Sequence, residues 1–149
     1  MKKYNKNQSS RDAFVLHERL AADSVEVARL KLSRLLLMDE RRWPWLILVP
    51  ERAGASELHD LGPRDRRLLI EEAAAVGQLL KTVCAADKIN IGALGNMVPQ
   101  LHVHVIARHR DDPAWPGPVW GAFSRSPYAA AKKAALLRRL RRALKGLAL

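Results

Sequence analysis

Several features are scarce in this 149-residue chain, and each scarcity excludes something. Cysteine occurs once, at Cys84, so an internal disulfide is ruled out and a reducing compartment, the cytoplasm, is the expected setting. Cys84 follows Val83 in a helical pattern and reads as a packed thiol rather than a nucleophile. Long apolar runs are missing. Stretches such as WLILV at 45–49 are strand-length, and none reads as a membrane span. The opening MKKYNKNQSS carries positive charge with no apolar stretch behind it, so residues 1–11 read as a disordered terminus and not as a secretory leader. Acidic residues run out at Asp112. Beyond it stand eight cations (Arg125, Lys132, Lys133, Arg138, Arg139, Arg141, Arg142 and Lys145), so most of the net charge of +11 belongs to a tail. The body before it, with 18 cations against 15 acids, is close to balanced.

What is present suffices for one folded domain with a substantial core, since 48% of the residues are hydrophobic. SVEVARLKLSRLLLM (24–38) alternates and then becomes apolar, which predicts two strands around a turn near 28–32. DERRWP is a polar turn, and WLILVPE (45–51) predicts a buried strand. ERAGASELHDLG is a loop with room for one helical turn. Pro63 then opens a long helix whose stripe is Leu69, Ala73, Val76, Leu80 and Val83, with Asp65 suited to its N-terminal end. INIGAL (89–94) and QLHVHVIAR (100–108) predict two more strands around a GNMVP turn. A loop rich in proline and glycine comes next. From about Ser126 a helix with a Leu136, Leu140, Leu144, Leu147 stripe and an arginine-rich remainder closes the chain.

Strand alternation puts Gln100, His102, His104 and Ile106 on one face, and Leu101, Val103, Val105 and Ala107 on the other. The second set suits a core. In the first, an amide and two imidazoles succeed one another at about 6–7 Å, and burying them without partners is costly, so a ligand on that face is expected. Three readings stand open. The histidines can be hydrogen-bonded without a task. They can share a zinc ion, although the third ligand would have to come from His17, His59, His109 or a carboxylate, none tellingly spaced. Or a neutral imidazole can attack phosphorus and form a covalent intermediate.

QLHVHVIAR preceded by GALGNMVP resembles the signature strand of the histidine triad (HIT) family of nucleotide hydrolases and transferases, whose motif is His-x-His-x-His-x-x with apolar x. LKLSRLLLM, PWLILVPE, the long helix and INIGALGN come in the order that fold demands. DDPAWPGPVWG is similar to a bacterial branch with glutamine in the first triad position. The resemblance spans residues 12–122 and implies an α+β fold: an antiparallel sheet of five to six strands with one main helix. The basic amphipathic helix within 123–149 is expected to pack its leucine stripe on the domain or on a dimer partner. The resemblance also implies that His102 attacks a nucleotide α-phosphate, that His104 binds the phosphate oxygens, and that Gln100 keeps the first position without its proton chemistry. A backbone carbonyl would still orient the nucleophile. Asn96 is the implied contact to phosphate or leaving group, Asn90 a further polar contact, and Asp39 a ribose ligand or else a turn former. Trp45 stands near where the family often has a supporting histidine, so that polar support is expected to be missing.

No metal or other cofactor is needed for this route. The implied partners are an adenine nucleotide and a second copy of the chain. A nucleotide-binding regulatory module with little turnover is the alternative, and an RNA-associated protein using the basic helix is a third reading. Trp115 and Trp120, beside Pro116 and Pro118, suit either a base clamp or subunit contact, or plain packing. Trp43 and Trp45 suit the core, and His17, His59 and His109 suit solvated loops.

Overall fold

The computed structural model describes residues 14–147; the terminus expected to be disordered at 1–11 lies outside the described residues. A short helix α1 (Glu18–Asp23) leads into β1 (Ser24–Arg29), β2 (Ser33–Met38) and β3 (Trp45–Pro50). A 3-10 turn at Leu58–Asp60 precedes the long helix α2 (Pro63–Cys84). Then come β4 (Lys88–Gly92), β5 (Val103–Arg108) and the closing helix α3 (Ala130–Leu144). The five strands form one sheet in the order β1-β2-β3-β5-β4, and every neighbouring pair is antiparallel. The fold is therefore α+β, with the expected strand count met at five.

The apolar pattern explains the layering. Leu35, Leu37, Leu46, Leu48, Val103, Val105 and Ala107 all face α2, where Leu69, Ala73, Val76 and Leu80 meet them. β3 and β5 are buried along their whole length because the opposite face is covered as well. There Leu36, Trp45, Ile47, Val49 and Ile106 pack with Trp43, Leu20, Val98 and Val119. α3 lays Leu136 and Leu140 into the α2-side core and rests on α2 and β1 of its own chain. Its Arg141 guanidinium donates to the Val27 and Glu26 carbonyls of β1, at 3.1 and 2.8 Å, and so satisfies part of an otherwise unpaired sheet edge.

Two boundaries differ from expectation because a side chain or loop takes the backbone's hydrogen bonds, and one short element was not expected. α3 begins at Ala130 and not near Ser126, since Glu40 accepts from the Ser126 amide and Asp39 from the Tyr128 amide, which holds 126–128 extended. β5 begins at Val103 and not at Gln100, because the Leu101 amide donates to Ala55 in the loop before α2. α1 is unforeseen: ERLAAD is too short for periodicity to show, and its cap is His17, whose Nδ1 accepts from the Arg19 amide at 3.2 Å.

The end of β5 is fixed by a buried ion pair. Arg108, 1% exposed, donates through Nε and Nη2 to both Asp112 oxygens at 2.7 and 3.0 Å, and through Nη1 to Asn90 Oδ1 at 2.8 Å. Burial alone would raise the Asp112 carboxyl, but the Arg108 hydrogen bonds, the Ala114 amide and the guanidinium charge hold it at about 2. A carboxyl depressed in the folded state stabilises above its unfolded value, near 3.8, and loses that stabilisation as pH falls toward 2. Asp112→Ala, which strands the arginine, is expected to cost about 3–5 kcal/mol in urea unfolding at pH 7, and the gap to wild type should narrow between pH 4 and 2 as Asp112 takes up its proton in wild type.

Candidate active site

His104 lies near the start of β5, an interior strand of the sheet, and His102 just before it; they are 8% and 6% exposed, with ring centroids 4.8 Å apart and planes at 78°. Each ring has one nitrogen committed to a partner of fixed character. His102 Nδ1 lies 2.7 Å from the Gln100 carbonyl oxygen, an obligate acceptor, so Nδ1 carries a proton, and in the neutral ring it is Nε2 that keeps the lone pair. His104 Nδ1 lies 2.8 Å from the Trp45 indole Nε1, an obligate donor, so Nδ1 is the bare nitrogen and Nε2 carries the proton. In their neutral forms the two rings are thereby set in opposite tautomers. One offers the site an acceptor, the other a donor. Burial, with a lesser contribution from the nearness of the His102 ring, pushes His104 down to about 3, so it stays neutral through the physiological range.

The support expected to be missing at position 45 is therefore present in another chemical form. β3 and β5 pair Trp45 with Ile106 and Ile47 with His104, which makes Trp45 the diagonal neighbour of His104 on the same face. The indole reaches along that diagonal. Trp120 closes the cluster, edge-on to both Trp45 (centroids 6.0 Å) and His104 (5.7 Å). Gly92 makes room for it: a Cβ there would stand 3.0 Å from the Trp120 ring. Trp115 parts company with Trp120 and lies 5.7 Å from the Arg108 guanidinium, outside the pocket.

Both imidazoles line a cavity of about 620 Å³. Leu20, Met38, Ile47, Val98 and the two tryptophans Trp45 and Trp120 make it largely apolar; Arg19, Asp23 and Asn96 add polar groups at its edge. Asn96 reaches it from a turn in which Gly95 takes φ +72°, a conformation that disfavours other residues.

The remaining expected site residues lie elsewhere. Gln100 does not line the cavity. Its Oε1 accepts from the His17 amide at 2.9 Å and its Nε2 donates to the Val15 carbonyl at 2.8 Å, which turns the carboxamide to segment 15–17 and not to the cavity. Asn90 is held by Arg108. Asp39 accepts from Lys133 Nζ at 2.8 Å and from the Tyr128 amide at 3.0 Å, tying down the C-terminal segment. The carboxylate that does face the cavity is Asp23, brought there with Arg19 by the unforeseen α1. Among the other histidines, His17 caps α1, and His109 Nε2 is 3.0 Å from the Cys84 carbonyl. His59 lines a second cavity of about 290 Å³ that His102 and Gly95 share with the first. Among the described residues no three His, Cys, Asp or Glu side chains converge as metal ligands, and no helix is long and apolar enough to cross a membrane.

A central antiparallel strand presenting two buried imidazoles to an apolar cavity defines the histidine triad class of site. The HIT domain family model matches residues 19–111, and the chain belongs to that family. Solved structures similar to it include a histidine triad protein of Sinorhizobium meliloti, 47% identical, covering 90% of this chain and 97% of that one with a TM-score of 0.85. A histidine triad protein of Marinobacter aquaeolei is 44% identical, with 91% and 98% covered and a TM-score of 0.87. One of Bradyrhizobium japonicum is 43% identical, with 87% and 97% covered and a TM-score of 0.85. No curated protein matches the chain.

Trp45→Phe keeps most of the ring area and removes the donor. His104 should then populate both neutral tautomers, while burial, which Phe preserves, keeps its protonation well below the ordinary histidine value of 6.5. Imidazole nitrogen-15 NMR across a pH titration reads both the tautomer change and the retained depression.

Proposed function

We propose that this chain is a metal-independent nucleotide hydrolase or nucleotidyl transferase that works through a covalent nucleotidyl-His102 intermediate. The observation that carries this reading is the pair of buried imidazoles on one cavity wall, one with Nδ1 on a carbonyl acceptor and the other with Nδ1 on an indole donor. His102 Nε2 uses its lone pair to form a bond to the α-phosphorus, while the bond from phosphorus to the leaving oxygen or nitrogen breaks and its electrons leave with that group. Water then attacks phosphorus, the N–P bond breaks, and the pair returns to Nε2. His104 Nε2–H is a preorganised donor to the oxygens on which charge builds, needing no reorganisation because its tautomer is already fixed. Asn96 is our candidate for a second donor.

The apolar walls suit a base, for which we favour adenine, and Asp23 becomes the candidate for the ribose hydroxyls in place of Asp39. A dinucleoside polyphosphate and a nucleoside phosphoramidate are the substrate classes we favour. The second cavity, which shares His102 with the first and is lined by Ser56, Glu57 and His59, is where a leaving group would emerge. A homodimer and a cytoplasmic location complete the proposal, the latter in keeping with the half-buried, unpaired Cys84.

A second reading has one observation in its favour. Gln100 offers no titratable group to a leaving group, and its amide is occupied elsewhere, as befits a nucleotide-binding module with little turnover. Turnover of diadenosine polyphosphate and of adenosine phosphoramidate separates the two. An enzyme should convert at least one of them, with a drop of about 10³-fold or more in His102→Ala and about 10²–10³-fold in His104→Ala. Tight nucleotide binding with no turnover in wild type would leave only the module.

A further inference from the structure

We propose that Gln100 is a positioning residue that clamps the segment 14–17 beneath the nucleotide cavity, so that its side chain sets one wall of the site while its main chain sets the nucleophile. The inference rests on the cavity's being the nucleotide site. The geometry is that of a single rung of parallel sheet. The primary amide donates to the carbonyl of Val15 and accepts from the amide of His17, two backbone groups that flank Leu16 on one side of an extended chain. A carboxamide presents its donor and acceptor side by side, as this rung requires. The two nitrogens of an imidazole diverge, so a histidine at position 100 could hold one of these groups but not both.

The clamp reaches the site through the residues on either side of its two hydrogen bonds. Phe14 and Leu16 pack against the cluster that contains Trp45, Ile47 and Ile106, and Arg34 lies over the Phe14 ring at 5.0 Å. His17 then starts α1, capping it through Nδ1, and α1 supplies Arg19, Leu20 and Asp23 to the cavity. The carbonyl of the same Gln100 holds His102 Nδ1. Glutamine in the first triad place therefore sets rigidity where a titratable ring would stand, fixing the distance between the α1 wall and His102.

The test exploits the His17 backbone. Its φ of −56° is one that proline adopts, so His17→Pro deletes the amide that Gln100 accepts from without forcing the chain elsewhere, while His17→Ala deletes only the capping ring. Adenosine monophosphate affinity by calorimetry and amide exchange at residues 19–23 are measured on full-length wild type, Gln100→Ala, His17→Pro, His17→Ala and the Gln100→Ala/His17→Pro double variant. The clamp predicts that Gln100→Ala and His17→Pro each weaken binding about tenfold, roughly the worth of one or two hydrogen bonds, and speed exchange at 19–23. It predicts that the double variant is no worse than either alone, and that His17→Ala stays within about threefold of wild type. If turnover is found, KM should rise more than kcat falls. Wild-type affinity and exchange in Gln100→Ala, or equal behaviour of His17→Pro and His17→Ala, would overturn it. Failure of wild type to bind the nucleotide would instead sink the function proposed above, with the exchange comparison still deciding whether the clamp exists.

Discussion

A buried imidazole can meet a ligand as donor or as acceptor only when something else has settled which nitrogen keeps the proton. For His104 that something is the Trp45 indole, a group that can donate and never accept. The interaction depends on the β3–β5 register, since a one-residue slip would turn Trp45 to the other face of the sheet. It depends also on Trp120, packed edge-on against the His104 ring, and on Gly92, which leaves room for that indole. With His104 fixed as a neutral donor, the neighbouring His102 gains a complementary role from the Gln100 carbonyl. Fixed groups of this kind stabilise developing charge without first having to reorient.

Polar groups elsewhere in the molecule show the same reliance on fixed partners. Asp39 and Glu40, next to each other after β2, reach the 126–128 segment through backbone amides, and Asp39 reaches Lys133 through its ammonium group. The Arg108–Asp112 pair closes the far end of β5 and takes up Asn90. Glu72, buried in α2, accepts from the Leu32 amide at the β1–β2 turn. These contacts hold the sheet's turns in place around the strand that carries the histidines. They also account for why Asp39 and Asn90, which look available in sequence, are already occupied.

The sheet and the main helix were legible because their signals are long or periodic. Leu69 to Leu80 repeat at helical spacing, and Leu101, Val103, Val105 and Ala107 alternate against the histidines. The HIT strand pointed to His102 and His104, and the structure brings both, with Asn96, to one cavity. What stayed hidden depends on partners far apart in the chain. Asp39 is claimed by Lys133, 94 residues on, and Asn90 by Arg108. Trp45 reads as core by composition, and it is core, yet its indole nitrogen supplies the hydrogen bond that a polar residue was expected to give. α1 escaped because six residues hold less than two helical turns, so Arg19 and Asp23 carried no pattern that could mark them.

Catalysis of the kind proposed requires His102 Nε2 to be the bare nitrogen that meets phosphorus. Rapid acid-free quenching of wild type with substrate, with mass analysis of the intact chain and its peptides, tests this most directly. The expected result is a transient gain of one nucleotidyl group on His102 that decays at the rate of turnover. Steady turnover with no adduct under the same quench, or an adduct on any other residue, would contradict it.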